Sequence, residues 1–283
     1  MIRVILLGRT GNNFFQYAAG RMLAEKHGVP LALDASWFNE ASWRSASCLR
    51  NLPLKAEIVR PFSAGSRVLK KLTGYHHWEF LQAPFYQELA DDLTYDPKVS
   101  GLPGDCTLSG YFQTPLYFAQ IEGKLREEIS FGSRILDHES GNLAAAMSGC
   151  ESVAIHVRRT DYVGNPNVAV CDEDYYLRAI ARMREQVGSP RFFIFSDDPE
   201  WGRSFFSGPG FQIVDCAVSR HDALNDLHLM SLAKHHIIAN SSYSWWAAWI
   251  GKKPEQRVIM PSRWFIGIRS PIAEKQCEGW EII

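Results

Sequence analysis

Short apolar runs alternate with segments of helical period along most of this chain, and that alternation limits its fold more than any other feature. Ile2-Arg-Val-Ile-Leu-Leu7 reads as a strand, Gly8 to Gly11 as a turn, and the stretch to about His27 as a helix. Phe14, Tyr17, Ala18, Arg21, Met22 and Ala24 give that helix a mostly apolar stripe, Gly28 is placed to end it, and Val29-Pro-Leu-Ala-Leu33 resumes a strand. Thr107 to Gln113 reads as a strand running into a loop. A second series begins near residue 150, with strands at 152–157, 191–196, 211–215, 235–239 and 256–260. Helices at about 173–187, 199–207, 222–234 and 243–251 separate them. Strand–helix alternation of this kind builds parallel sheets covered by helices. The expected architecture is two Rossmann-like α/β domains facing a central cleft, one over 1–140 and one over 150–283. The boundary is expected near 138–151, where Asp137-His-Glu-Ser-Gly141 and Ser148-Gly149 interrupt the pattern. A return of the C-terminal tail to the first domain is left open. Residues 40–105, irregular and rich in aromatics and prolines, are assigned no element.

Composition narrows the function classes. A length of 283 residues accommodates two domains with real cores, and a net charge of -1 lacks the basic excess of a general nucleic-acid binder. No apolar run reaches the roughly 20 residues of a membrane span, and the strand-like start has no charged leader or cleavage site. The expectation is a cytoplasmic protein, with peripheral association at the inner face of a bacterial membrane left open. Cys48, Cys106, Cys150, Cys171, Cys216 and Cys277 are scattered without metal-ligand spacing, which fits free thiols in a reducing compartment.

Three polar motifs follow apolar runs: His156 to Asp161, Ser196-Asp197-Asp198, and Asn240 to Ser244. In open α/β sheets, ligands bind beyond the carboxyl ends of strands, so the three motifs predict one site in the second half. Period-two alternation puts His156 and Arg158 on one face. The adjacent guanidiniums of Arg158 and Arg159 make a fork suited to a diphosphate, and Asp161 can orient one of them. Ser241, Ser242 and Ser244 stand at a helix start, where free N–H groups favour an anion. Asp226 could accept from the N1 and N2 hydrogens of guanine. Gly8, Gly11, Asn12 and Asn13 form a separate strand-to-helix turn whose amides can approach a phosphate or sugar, without the Lys-Ser or Lys-Thr of a Walker loop. Structural explanations compete for each residue: a surface ion-pair cluster for the arginines, helix caps for Ser241 to Ser244 and for Asp197 and Asp198, a helix-surface pair for Asp226. Trp245, Trp246 and Trp249 read as core packing. His235 and His236, adjacent in a strand, face opposite ways and are not a metal pair.

These motifs resemble, in order, the signatures of the alpha-1,2- and alpha-1,6-fucosyltransferase superfamily. His156-x-Arg158-Arg159-x-Asp161 is similar to the first, Phe192-Phe-Ile-Phe-Ser-Asp-Asp-Pro199 to the second, and Asp226-Leu-His-Leu-Met-Ser231 with Ile238 to Trp246 to the third. The opening Gly8 to Ala18 and the Asn-Ser-Ser-Tyr-Ser-Trp-Trp form are typical of the alpha-1,2 branch, glycosyltransferase family 11. The resemblance implies a GT-B fold, GDP-fucose as donor and a galactose-terminated oligosaccharide as acceptor, such as a lipopolysaccharide O-antigen unit. It places His156 and Asp226 near the nucleoside, and Arg158 and Ser242 at the beta-phosphate. Arg159, Asp197, Asn240, Ser241, Ser244, Gly11, Asn12 and Asn13 complete the expected donor contacts. Golgi members carry a membrane anchor, which this sequence does not show. Arg9, Thr10 and Asn13 depart from the family opening.

Asp172-Glu173-Asp174 spells an Asp-x-Asp pattern but reads as helix N-terminal acid, so no metal is expected. In alpha-1,6 relatives a Glu stands ten residues after the motif His; here that residue is Pro166. Asp161, then Asp172, are the remaining candidates for general base. The aromatic segment from Trp37 to Tyr86 is expected to line the acceptor's sugar cleft.

Overall fold

Ile2–Ile5 forms strand β1, and the helix behind it, α1 (Thr10–His27), packs so closely that Gly20 lies under Val4 and Leu31. Gly28 ends α1 in the left-handed region at φ 62, as its position predicts. This computed structural model describes residues 1–36, 38, 48–59, 84–131, 136–214 and 223–283. The chain divides into two units, Met1–Ser130 and Phe131–Ile283.

In the first unit, β1 sits among β2 (Leu31–Asp34), β3 (Glu57–Val59), β4 (Phe85–Gln87) and β5 (Cys106–Ser109), in the order β3-β2-β1-β5-β4, all parallel. A short helix, α2 (Glu122–Glu128), closes the unit's chain. Arg21 does not lie on an apolar stripe alone: it is buried and paired with the buried Glu128, Nη2 to Oε1 at 3.1 Å. The Tyr17 hydroxyl also donates to Glu128. A buried charge is tolerated only with such partners, so α1 and α2 are tied by a pair that neither could lose alone without cost.

The second unit begins with α3 (His138–Ser148), whose start is capped by Asp137 accepting from Ser140 N at 2.8 Å. The stretch expected as a boundary is therefore a helix cap, and the division falls earlier, after Ser130. Six parallel strands follow: β6 (Ser152–Val157), β7 (Arg191–Ser196), β8 (Phe211–Val214), β9 (His235–Ile237), β10 (Val258–Met260) and β11 (Trp280–Ile282). Their order is β11-β10-β9-β6-β7-β8. The C-terminal tail does not leave this unit; it is the edge strand β11. Helices α4 (Glu173–Gln186), α5 (Pro199–Phe205), α6 (Ala223–Leu232) and α7 (Ser242–Ile250) connect the strands. Tyr176, Ile180 and Met183 of α4 pack on Val153, Ile155, Phe192 and Ile194. Trp245, Trp246, Trp249 and Trp280 are buried together, the core packing their spacing predicts.

The two adjacent histidines of β9 do face opposite ways. His235 accepts from Arg257 N and meets Glu151 through Nε2 at 3.2 Å. His236 Nε2 lies 2.9 Å from Met230 O, and a carbonyl only accepts, so that nitrogen carries the proton. No helix among the described residues is long and apolar enough to cross a membrane.

The C-terminal ends of α6 and α7 meet where only glycine fits. A Cβ on Gly251 would lie 2.4 Å from Ser231 O. Lys253 Nζ reaches the same place, donating to the carbonyls of Ser231, Ala233 and Gly251. Gly251→Ala is expected to lower stability by about 1–3 kcal/mol through overpacking, read as a reduced urea midpoint. A midpoint equal to the parent's would show that this junction opens freely.

Candidate active site

In the second unit the chain runs β6 to β7 to β8 toward one edge, then β9 to β10 to β11 toward the other. The order reverses between β6 and β9, and beyond the carboxyl ends of those strands lies the crevice where such sheets take ligands. Arg158 follows β6 there, and residues 238–241 follow β9 into α7.

Asp197, at the end of β7, organises the turn after β6. Its Oδ1 accepts from Arg159 N at 2.8 Å and Thr160 N at 3.4 Å, its Oδ2 from the Thr160 hydroxyl at 2.6 Å. Oδ2 also pairs with Arg158 Nη1 at 3.0 Å, while Arg158 Nη2 meets Asp161 Oδ1 at 2.6 Å. Burial works against the Arg158 charge, but the Asp161 hydrogen bond and the Asp197 and Asp161 charges outweigh it, so its pKa is raised. The guanidinium stays partly open to solvent, with the Tyr162 ring 5.7 Å away.

Arg158 and Arg159 do not form a joint fork. Arg159 turns away, its Nε 3.2 Å from Asp198 Oδ2 and its guanidinium 4.2 Å over the Trp201 ring. Asp198 in turn caps α5, accepting from Trp201 N at 3.1 Å. Two expected donor ligands, Arg159 and Asp197, are thus held within the protein and shape the turn that presents Arg158. Successive side chains project in different directions, and the nearest carboxylate claims each. Thr160, Tyr162 and Trp201 have roles the sequence reading missed. Trp201 stands 42 residues from its cation, and no spacing rule links them.

His156 and the start of α7 belong to the same edge. The His156 and Tyr243 rings lie 5.9 Å apart, and the Tyr162 hydroxyl donates to Asn240 O at 3.2 Å. Burial, with the nearby Arg158 charge, pushes the His156 pKa down to about 4 against a smaller opposing pull from Asp197. Its imidazole is neutral at ordinary pH, and among the described residues its buried Nδ1 has no hydrogen-bond partner. Ser241 occupies the N-cap position of α7 but makes no side-chain capping bond. The helix-cap explanation therefore does not account for Ser241. Ser244 bonds back to Ser241 O at 3.2 Å. The Asn240 amide is spent on Val168 O and Trp264 O, at 3.0 and 2.9 Å, so it binds two loops together rather than facing a ligand with its donors.

The remaining expected residues stand at helix starts. Asp226 is half-buried in the first turn of α6. Asp172 caps α4, accepting from Tyr175 N at 2.9 Å, and Asp174 pairs with Arg178 at 2.8 Å. Both act as the helix N-terminal acids expected of them. Gly11, Asn12 and Asn13 do not lie in a turn before the helix; they stand in the first turn of α1, whose N-cap is Arg9. Asn13 is buried, and its amide donates inward to Leu7 O and Gln16 Oε1, each at 3.0 Å, so it is a structural residue. Asn12 Oδ1 accepts from Gln113 at 2.8 Å. Of the aromatic segment, Trp37, Trp43, Tyr75, His76, His77 and Trp78 lie outside the described residues; Phe85 and Tyr86 form β4.

The model of glycosyl transferase family 11 matches residues 50–263, a span that contains His156, Arg158, Asp197 and Ser241. The chain belongs to that family. It is 28% identical over 270 residues to an alpha-1,2-colitosyltransferase of Escherichia coli, covering 92% of this chain and 91% of that protein. It is also 28% identical over 287 residues to the O-antigen biosynthesis glycosyltransferase WbnK of Escherichia coli, covering 93% and 94%. Among solved structures it resembles E. coli ADP-heptose LPS heptosyltransferase II, with a TM-score of 0.51 at 11% identity over 100% of this chain and 89% of that one. The fold of this family 11 member is of the GT-B type, with two Rossmann-like α/β units.

Two buried histidines couple stability to pH. His156 is held at about 4 and His236, desolvated in the core, at about 3, both below the ordinary 6.5. Between those values and 6.5 the unfolded chain binds protons that the folded chain does not, so stability falls as pH falls. The urea midpoint is expected to drop between pH 7 and pH 5, and to drop less in His236→Gln. A parent midpoint that is flat across that range would contradict the buried, neutral histidines.

Proposed function

We propose that this family 11 glycosyltransferase moves L-fucose from GDP-beta-L-fucose to the 2-hydroxyl of a terminal beta-galactoside in an oligosaccharide such as an O-antigen unit. The observation that carries the reading is Arg158, a half-buried guanidinium held by Asp197 and Asp161 at the switch point beside the uncapped start of α7. A leaving diphosphate needs its growing charge neutralised at the moment the sugar departs, and fixed donors already in place do this without reorganisation. Arg158 takes the beta-phosphate, with Ser242 and the first amides of α7 beside it. His156 and Asp226 serve the nucleoside, Asp226 by accepting from the guanine edge.

The reaction inverts the anomeric centre. The bond from the sugar carbon to the beta-phosphate oxygen breaks, the acceptor oxygen bonds to that carbon from the opposite face, and the acceptor's proton passes to a base. Asp161 is our candidate for the base. Its oxygen is committed to Arg158 in the free protein, and a diphosphate that takes over the guanidinium releases it. Asp172 is the weaker candidate because its carboxylate caps α4. Arg158 and the helix start supply the positive potential that a metal brings elsewhere, so we propose that transfer needs no metal.

The similarity to an alpha-1,2-colitosyltransferase supports a second reading, in which the same linkage is made from a colitosyl donor. A screen of GDP-sugar donors against galactoside acceptors, in excess EDTA and with linkage analysis of the product, separates the readings. Fucose in alpha-1,2 linkage to galactose is expected. Colitose transfer alone favours the second reading, and strict dependence on added manganese would sink the metal-free mechanism. Arg158→Ala should lower turnover about 100-fold or more while the fold survives. Near-normal turnover in that variant removes Arg158 from the mechanism.

A further inference from the structure

The first unit has a switch point of its own. From β1 the order runs through β2 to β3 on one side and through β5 to β4 on the other, so the crevice opens beyond β1 and β5. The chain leaving β5 there, Gly110 to Thr114, is held from several sides. Glu88, directly after β4, is buried, and its Oε2 accepts from Tyr111 N at 2.6 Å and Phe112 N at 3.1 Å. Gln16 of α1 donates to Gly110 O at 2.8 Å, and Gln113 donates to Asn12 Oδ1 at 2.8 Å. A Cβ on Gly110 would lie 2.5 Å from the Glu88 Cβ. Phe112 adopts φ 51, a conformation that bulky residues rarely take, and its ring is fully buried, edge-on to Tyr117 at 5.4 Å.

This bracing has a visible result. With Phe112 driven inward, Tyr111 projects outward and is 36% exposed, while Leu89, which follows Glu88 beyond the end of β4, is 64% exposed. Among the described residues the Tyr111 hydroxyl makes no hydrogen bond. A backbone conformation held against its own preference by a buried carboxylate and two side-chain amides marks a place where geometry is kept for use. The chemistry of the turn also selects the ligand. Two consecutive backbone N–H groups could have received a phosphate, but Glu88 already occupies both. An anion is disfavoured, and a neutral ligand with an apolar face remains. Aromatic faces pack well on the C–H faces of pyranose rings.

We propose that Tyr111 is an acceptor-binding residue, a platform on which a neutral hexopyranose of the glycan acceptor stacks, with Leu89 beside it and Glu88 and Gly110 as positioning residues. The inference rests on the glycosyl-transfer reading above for its substrate class. It names a residue outside the aromatic segment where acceptor recognition was expected.

The test has two readouts. In steady-state kinetics with whichever donor and acceptor the parent turns over, Tyr111→Ala should raise the acceptor KM about tenfold, one stacking contact's worth, with the donor KM unchanged. Tyr111→Phe should stay near the parent, because the ring and not the hydroxyl carries the contact. Glu88→Gln should raise the acceptor KM with the donor KM unchanged, because the amide holds the turn less firmly. Saturation-transfer NMR with methyl beta-D-galactoside reads the platform without catalysis, and Tyr111→Ala should lose the transfer to the ring-face protons. An unchanged acceptor KM or an unchanged NMR pattern in Tyr111→Ala overturns the proposal, as does an equal rise in both KM values. If the parent transfers no sugar at all yet loses galactoside contact in Tyr111→Ala, the transferase reading fails and the platform stands.

Discussion

The candidate site depends on one carboxylate. Asp197 collects the backbone of Arg159 and Thr160, the Thr160 hydroxyl and the Arg158 guanidinium onto its two oxygens. Charge-assisted hydrogen bonds contribute about 1.5–3 kcal/mol each in favourable settings, so this junction is strong enough to fix how β6 ends. It also sets which way each arginine points. Arg158 is drawn toward β7 and the crevice, while Arg159 is left to Asp198 and the Trp201 face. The strands that carry it make the arrangement stiff: β6 and β7 are buried along nearly all their length and cannot shift without disturbing the core beneath α4.

Much of the architecture is legible because its signals are local. Helix α1 and its end at Gly28 follow from spacing and one left-handed residue, and β6, β7 and α4 follow from apolar period. Errors arise where a local signal has two meanings. Asp137-His-Glu-Ser-Gly141 looks like a break in the pattern and is a capped helix start, because a capping aspartate and a loop aspartate are the same residue type. The last strand is only three residues long and pairs with a strand more than 20 residues earlier, so nothing near it in sequence announces it.

The site divides in the same way. The placement of the three motifs at the carboxyl ends of β6, β7 and β9 was legible. The partners of individual side chains were not, because they depend on distances between segments far apart in sequence. Arg159, Asp197 and Asn240 look like ligand contacts when read in line, yet their neighbours in space are Trp201, Thr160 and Trp264. The same holds for Asn13, which packs inward beneath the turn that its glycines suggested was open. Membership of glycosyl transferase family 11 fixes the class of chemistry as glycosyl transfer.

The central claim is that the Arg158 fork, positioned by Asp197, receives the diphosphate of the donor. Calorimetric titration of GDP and of guanosine into the parent and into Arg158→Lys tests it most directly. The lysine keeps the charge and loses the planar pair of donors. The parent should bind GDP far more tightly than guanosine. Arg158→Lys should weaken GDP by about tenfold or more, the cost of a lost bidentate contact, and leave guanosine nearly unchanged. GDP affinity that survives the substitution intact would contradict the account.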